Sequence, residues 1–174
     1  MKNLFIPFKF FVNLLILSLV AAILDKGGSL SKLLLNTFNL LESSPKIESS
    51  TISLTLILSN LLLLSYVLWL IIKFRKVIYS LKTDSIFSEK NSRIFKTVGR
   101  GLIFYSIGIF IIRVIENTLG DVVVGESVAY NFGRNIGATL SDRIPLLVIA
   151  FFLLIVAQLI NEGYQLKNEN DLTI

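Results

Sequence analysis

Histidine and cysteine are both missing from these 174 residues, and most catalytic chemistry goes with them. Without a thiol there is no disulfide framework, no thiolate nucleophile and no thiolate metal ligand. Without imidazole the commonest zinc and haem ligand is gone, as is the side chain that titrates near neutrality. Carboxylates remain. Glu116, Asp121, Glu126 and Asp142 fall within one stretch of the chain. Two carboxylates do acid–base work only at a defined separation and with split pKa values. This spacing fixes neither, so a solvated segment is expected there. Oxygen ligation of Mg²⁺ or Ca²⁺ is the one metal chemistry left open. No phosphate loop, dinucleotide fingerprint or nucleophile elbow occurs. The expectation is a protein that is not an enzyme and carries no cofactor.

The other polar groups of note sit in or beside apolar runs. Asn60 lies in an uncharged stretch, where an amide pairs with a neighbouring helix or meets a substrate. Gln158, Asn161, Glu162 and Gln165 form a polar stripe at the end of the last apolar run. Such a stripe marks where a helix leaves lipid, or faces a partner or cavity. Arg113 and Glu116 are one helical turn apart and can pair. Gly133 and Gly137 have small-xxx-small spacing, but their polar setting does not point to helix dimerisation. Phe74, Tyr79, Phe87 and Phe95 interleave with basic residues, the crude footprint of a nucleic-acid or anionic-lipid surface. Asp84 and Glu89 dilute that patch, and nucleic acid is not expected as a partner.

The elements that must position these groups are membrane spans. Residues 49–72 hold 24 positions without a charge, enough to cross the ~30 Å hydrocarbon core of a bilayer. Further uncharged runs occupy 10–24, 101–112 and 144–161. With flanking Lys and Arg stems lying along the helices, the spans are 4–24, 52–72, 98–115 and 144–161. Gly101 and Gly108 share a face of the third, which allows close approach of another helix. Residues 73–100 carry eight of the seventeen Lys and Arg. Short cytoplasmic loops accumulate such residues. Counting all segments gives eleven basic residues on that side and six on the other. The fold class is therefore an all-α, four-helix integral membrane bundle with both termini in the cytoplasm, in the inner or plasma membrane of a cell.

The connecting segments are a cytoplasmic loop at 73–97, outer loops at 25–51 and 116–143, and a cytoplasmic tail at 162–174. Leu30, Leu33, Leu34, Phe38 and Leu41 recur at helical spacing. They make either a short amphipathic interfacial helix or an extension of the first span. Ser43, Ser44 and Pro45 break that pattern. Residues 122–124 suggest a short strand, and Thr83, Asp84 and Ser85 a turn. Ser88 is placed to cap the helix that continues through Ile94, Phe95 and Val98. Pro145 suits the first turn of the fourth span. An alternative for the N-terminus is a signal peptide cleaved after Ala22, although Ile23 and Leu24 continue the apolar run.

Two segments together resemble a known family. One reads Ser85-Ile86-Phe87-Ser88-Glu89-Lys90-Asn91-Ser92-Arg93-Ile94-Phe95. The other is the tail, ending Leu166-Lys167-Asn168-Glu169-Asn170-Asp171-Leu172-Thr173-Ile174. They are similar to small four-span bacterial membrane proteins grouped as a domain of unknown function, often encoded beside a helix-turn-helix regulator. The resemblance implies a membrane protein that modulates a cytoplasmic partner and supplies no catalytic residues. Candidate partner contacts are Phe87, Ser88, Asn91, Glu162, Leu166, Glu169, Asn170, Leu172, Thr173 and Ile174. The tail either folds back, with Leu172 and Ile174 against the helix ends, or binds the partner directly. A small transporter or channel subunit using Asn60 and the glutamine stripe is the alternative.

Overall fold

In a bilayer every backbone polar group must be satisfied within the chain, and a helix does this segment by segment. The computed structural model, which describes residues 5–37, 47–80, 86–120 and 128–172, is helical nearly throughout. Four helices follow in order: α1 (Phe5–Thr37), α2 (Ile47–Ser80), α3 (Glu89–Gly120) and α4 (Val128–Leu172). No strand occurs among the described residues. All four are long and apolar enough to cross a membrane. The all-α four-helix class expected from the uncharged runs is what is found.

Successive helices run antiparallel and each packs on its neighbour in sequence: α1 on α2, α2 on α3, α3 on α4. Among the described residues α1 and α4 do not close the ring. Lipid tails are as apolar as Leu, so helices here associate through close packing rather than escape from water. Glycine supplies the closeness. A methyl at Gly101 would strike Leu70 and stand 2.9 Å from the Tyr66 hydroxyl, and one at Gly108 would stand 2.9 Å from Leu63. The shared face of these two glycines is thus the seat of α2. On the other flank, a methyl at Gly99 would lie 2.9 Å from the Ala150 carbonyl oxygen of α4. Val98, Leu102, Ala150 and Leu153 form the buried core beside it, with Phe74 of α2 packed on. Helix α1 is held more lightly, by Phe8 edge-on to Phe74 and by Asn13, whose Nδ2 donates to the Tyr79 hydroxyl at 3.4 Å.

The helices overrun the spans read from the sequence. At 1.5 Å per residue the 45-residue α4 is about 67 Å long, more than twice the hydrocarbon thickness. Helix α1 extends to Thr37, so residues 25–37 prolong the first span rather than form a separate interfacial helix. Residues 128–143, expected in a loop, belong to α4. Pro145 is accordingly inside that helix and not in its first turn. It leaves the Ser141 carbonyl without its usual intrahelical donor. The Ser43–Pro45 break, the turn at 83–85 and the strand at 122–124 fall outside the described residues.

The cap at Ser88 is present. Its Oγ accepts from the Asn91 backbone N–H at 3.3 Å, and its carbonyl accepts the first helical bond, from Ser92, at 3.1 Å. Asn91 Nδ2 donates back to the Ile86 carbonyl at 3.2 Å, tying the approach to α3 onto its first turn. Glu89 sits at that helix N-terminus, where a negative charge is favoured, and pairs with Arg93 one turn on.

Candidate functional site

Among the described residues, two polar hollows lie at opposite ends of the bundle. The larger question attaches to the one that all four helices build. Its volume is about 460 Å³, and α1 contributes Asp25 and Lys26, α2 Asn60 and Leu64. From α3 come Tyr105, Arg113, Glu116 and Asn117, and from α4 Thr139 and Asp142. Asn60 is eight residues inside the apolar window that starts at Ile52, about 12 Å down the axis. The hollow therefore carries polar lining well into the depth of the spans.

Its charges are mixed, three carboxylates against two cations. Arg113 Nη1 stands 3.7 Å from Asp142 Oδ2, and both side chains are about half exposed. Such a pair contributes little, about 1 kcal/mol or less. The sequence suggested Arg113 with Glu116 on the same helix; the structure pairs it across to α4 instead. Glu116 and Asp142 do meet in one hollow, whereas Asp121 and Glu126 lie outside the described residues. No group of three metal-ligating side chains forms among the described residues.

Sequence reasoning missed a polar ridge that reaches this hollow at one residue, Thr139. Asn131, Asn135, Thr139 and Arg143 are spaced by four and make one ridge on α4. Asn131, Asn135 and Thr139 are 7%, 5% and 3% exposed. Asn131 Oδ1, Asn135 Nδ2, Thr139 Oγ1 and Arg143 Nε make no hydrogen bond among the described residues. A buried polar atom left without a partner costs about 1–3 kcal/mol. Four on one ridge is a concentration that packing alone does not account for, and Thr139 lines the hollow. The signal was the polar i, i+4 repeat, obscured by Gly133 and Gly137, which made the stretch read as loop.

Those of the expected partner contacts that are described lie toward the opposite end, where α1 begins and α4 ends. Phe87 is half exposed and its ring lies against Gly163 of α4, where an added methyl would collide with it. The two segments that carried the family resemblance thus touch one another. A profile of a family described as "Protein of unknown function (DUF2975)" matches residues 35–174. The chain belongs to the DUF2975 family. No curated protein and no solved structure matches it. The family match takes in α2, α3 and α4 and leaves most of α1 outside. In this DUF2975 chain the α1 wall of the hollow, Asp25 and Lys26, is therefore outside the matched region.

The remaining contact candidates divide by what they touch. Ser88 and Asn91 are engaged in the α3 cap, and Asn91 is buried. Glu162 accepts from Gln158 Nε2 at 2.9 Å and is exposed. Leu166, Glu169 and Asn170 project from the exposed last turns of α4. Residues 162–172 do not fold back, because α4 runs unbroken to Leu172. The Leu172 side chain, Thr173 and Ile174 lie outside the described residues. Asn60 and Gln158, joined in the transporter alternative, line separate hollows with the Val98–Ala150 core between them in register.

Proposed function

We propose that this DUF2975 chain is a non-enzymatic, multi-pass protein of a bacterial inner membrane that relays a stimulus at its four-helix hollow to a cytoplasmic protein. A transcriptional regulator is the partner that the family resemblance suggests. The excess of basic residues on the side of both termini supports a cytoplasmic location for them. The observation that carries the reading is the continuity of α4. One helix holds Thr139 and Asp142 at the hollow and presents Leu166, Glu169 and Asn170 to solvent at its far end. A rod of this kind transmits a tilt or shift at one end to the other, provided the stimulus favours one arrangement.

The test is recovery of partners from crosslinked cells with the full chain and with a chain lacking residues 167–174. A cytoplasmic protein recovered only with the full chain supports the relay. If both forms retain the same partners, the tail has no such role.

The depth of the polar lining at Asn60 favours a second reading, a small transporter or channel subunit. Against it, the spans hold no Asp, Glu, Lys or Arg at mid-depth, where such a path is usually marked. Solute flux through proteoliposomes of the purified chain would decide in its favour.

A further inference from the structure

The outward face of α3 changes character along its length. Arg93, Lys96 and Arg100 are exposed at successive spacings of three and four. Phe104, Ile107 and Ile111 continue the same face and are 62%, 53% and 52% exposed. At 3.6 residues per turn all six fall within an arc of about 80°. The rise from Arg100 to Ile111 is about 16 Å, roughly half of the ~30 Å hydrocarbon core.

Beside the basic half, α4 supplies the second wall of a groove of about 540 Å³, with Leu154, Gln158 and Asn161. The groove's own polar groups are unevenly satisfied. Arg93 is paired with Glu89, Ser92 Oγ donates to the Ala157 carbonyl at 2.8 Å, and Gln158 Nε2 donates to Glu162. Lys96 and Arg100 have no acidic partner among the described residues. A surplus of two positive charges therefore stands where α3 enters its apolar stretch.

We infer that this face holds an anionic glycerophospholipid lengthwise, its phosphate between Lys96 and Arg100 and one acyl chain along Phe104, Ile107 and Ile111. A soluble phosphate would account for the cations. It would not account for an exposed apolar stripe of one leaflet's depth directly below them. Attraction of an anionic headgroup to such cations is worth on the order of a fivefold change in affinity per charge.

Native mass spectrometry of the full chain in detergent tests this, with phosphatidylglycerol, phosphatidylcholine of the same acyl chains, and inorganic phosphate as separate probes. Phosphatidylglycerol should remain bound where phosphatidylcholine does not, and added salt should release it. The variant Lys96→Gln/Arg100→Gln should weaken that binding by at least about tenfold, whereas Lys167→Gln on the tail should not. Phe104→Ala/Ile107→Ala, which keeps the charges, should also weaken it. Equal retention of the two lipids by the unaltered chain would overturn the inference, and that comparison needs no variant to fold. Unchanged phosphatidylglycerol binding by Lys96→Gln/Arg100→Gln would overturn it too. Inorganic phosphate bound as tightly as phosphatidylglycerol would assign the groove to a soluble anion.

Discussion

The Phe87 ring, just ahead of α3, rests on the bare backbone of Gly163 in α4. This contact joins two segments 76 positions apart at the end of the bundle from which the tail projects. Above it, Ser92 Oγ bonds the Ala157 carbonyl at 2.8 Å, and Gly99 meets the Ala150 carbonyl. Together they form a ladder of close α3–α4 contacts along one seam. Any movement of α4 that reaches the tail must pass this seam, which makes Phe87 and Gly163 a place to monitor it.

Because the chain has no cysteine, that seam can be probed in an otherwise thiol-free background. A Cβ at Gly163 would lie 3.0 Å from Phe87 Cγ, which puts the two Cβ atoms within the ~3.5–4.5 Å reach of a disulfide. The double variant Phe87→Cys/Gly163→Cys should therefore oxidise readily in membranes and run as a crosslinked monomer on non-reducing gels. Phe87→Cys paired with Gly133→Cys, on the part of α4 beyond the hollow, should not. Failure of the first pair to close would mean that the approach to α3 does not dock on α4.

The glycines divide into two sets with opposite expected effects. Gly99→Ala drives a methyl against the Ala150 carbonyl, a backbone atom that cannot rotate away. Overpacking of this kind costs about 1–3 kcal/mol, more than the helix propensity gained, about 1 kcal/mol. Around Gly133 and Gly137 nothing lies within 4 Å of an added methyl. There only the propensity gain operates, so Gly133→Ala and Gly137→Ala should each stabilise by about 0.5–1 kcal/mol. Thermal unfolding in detergent should show the melting temperature fall for the first and rise for the other two.

How much of this was legible in the sequence follows from which physical signals are local. Uncharged runs such as 49–72 report the solvent around them, and they located all four helices. Ser88 was legible as a cap, since capping depends on a few adjacent residues. Gly101 and Gly108 pointed, through a shared face, to the close approach of another helix, but not to α2 as that helix. The helix ends were not legible. Residues 128–143 hold Gly133 and Gly137 among polar residues, which ordinarily marks a loop, yet packing against α3 accompanies an unbroken helix there. The hollow was hidden for a related reason. It brings Asp25, Asn60, Glu116 and Thr139 together from four helices, and no spacing within one segment encodes that.

Thr139 separates stability from function. Its hydroxyl is buried and has no partner among the described residues, so removing it with near-constant shape relieves a desolvation cost. Thr139→Val should raise the unfolding free energy by about 1 kcal/mol. If the hollow receives the stimulus, the same substitution should abolish the change in partner recovery that the stimulus produces. A variant both less stable and fully responsive would show that the hydroxyl serves the fold and not the site.

The proposed sidedness rests on the charge asymmetry and can be tested with the same thiol-free chain. Residues 73–100 hold eight basic residues, while Lys26, Lys32, Lys46, Arg113, Arg134 and Arg143 are all that the opposite side holds. Translocating basic segments against this bias is disfavoured, and an even number of spans then puts Phe5 and the tail on one side. Gly133 and Asn168 are both exposed, at opposite ends of α4. In intact cells whose outer barrier admits small solutes, a membrane-impermeant maleimide should label Gly133→Cys. Asn168→Cys should react only after the inner membrane is permeabilised. The reverse pattern would turn the bundle over, and with it the proposal that the tail meets a cytoplasmic protein; the lipid groove on α3 would stand in either orientation.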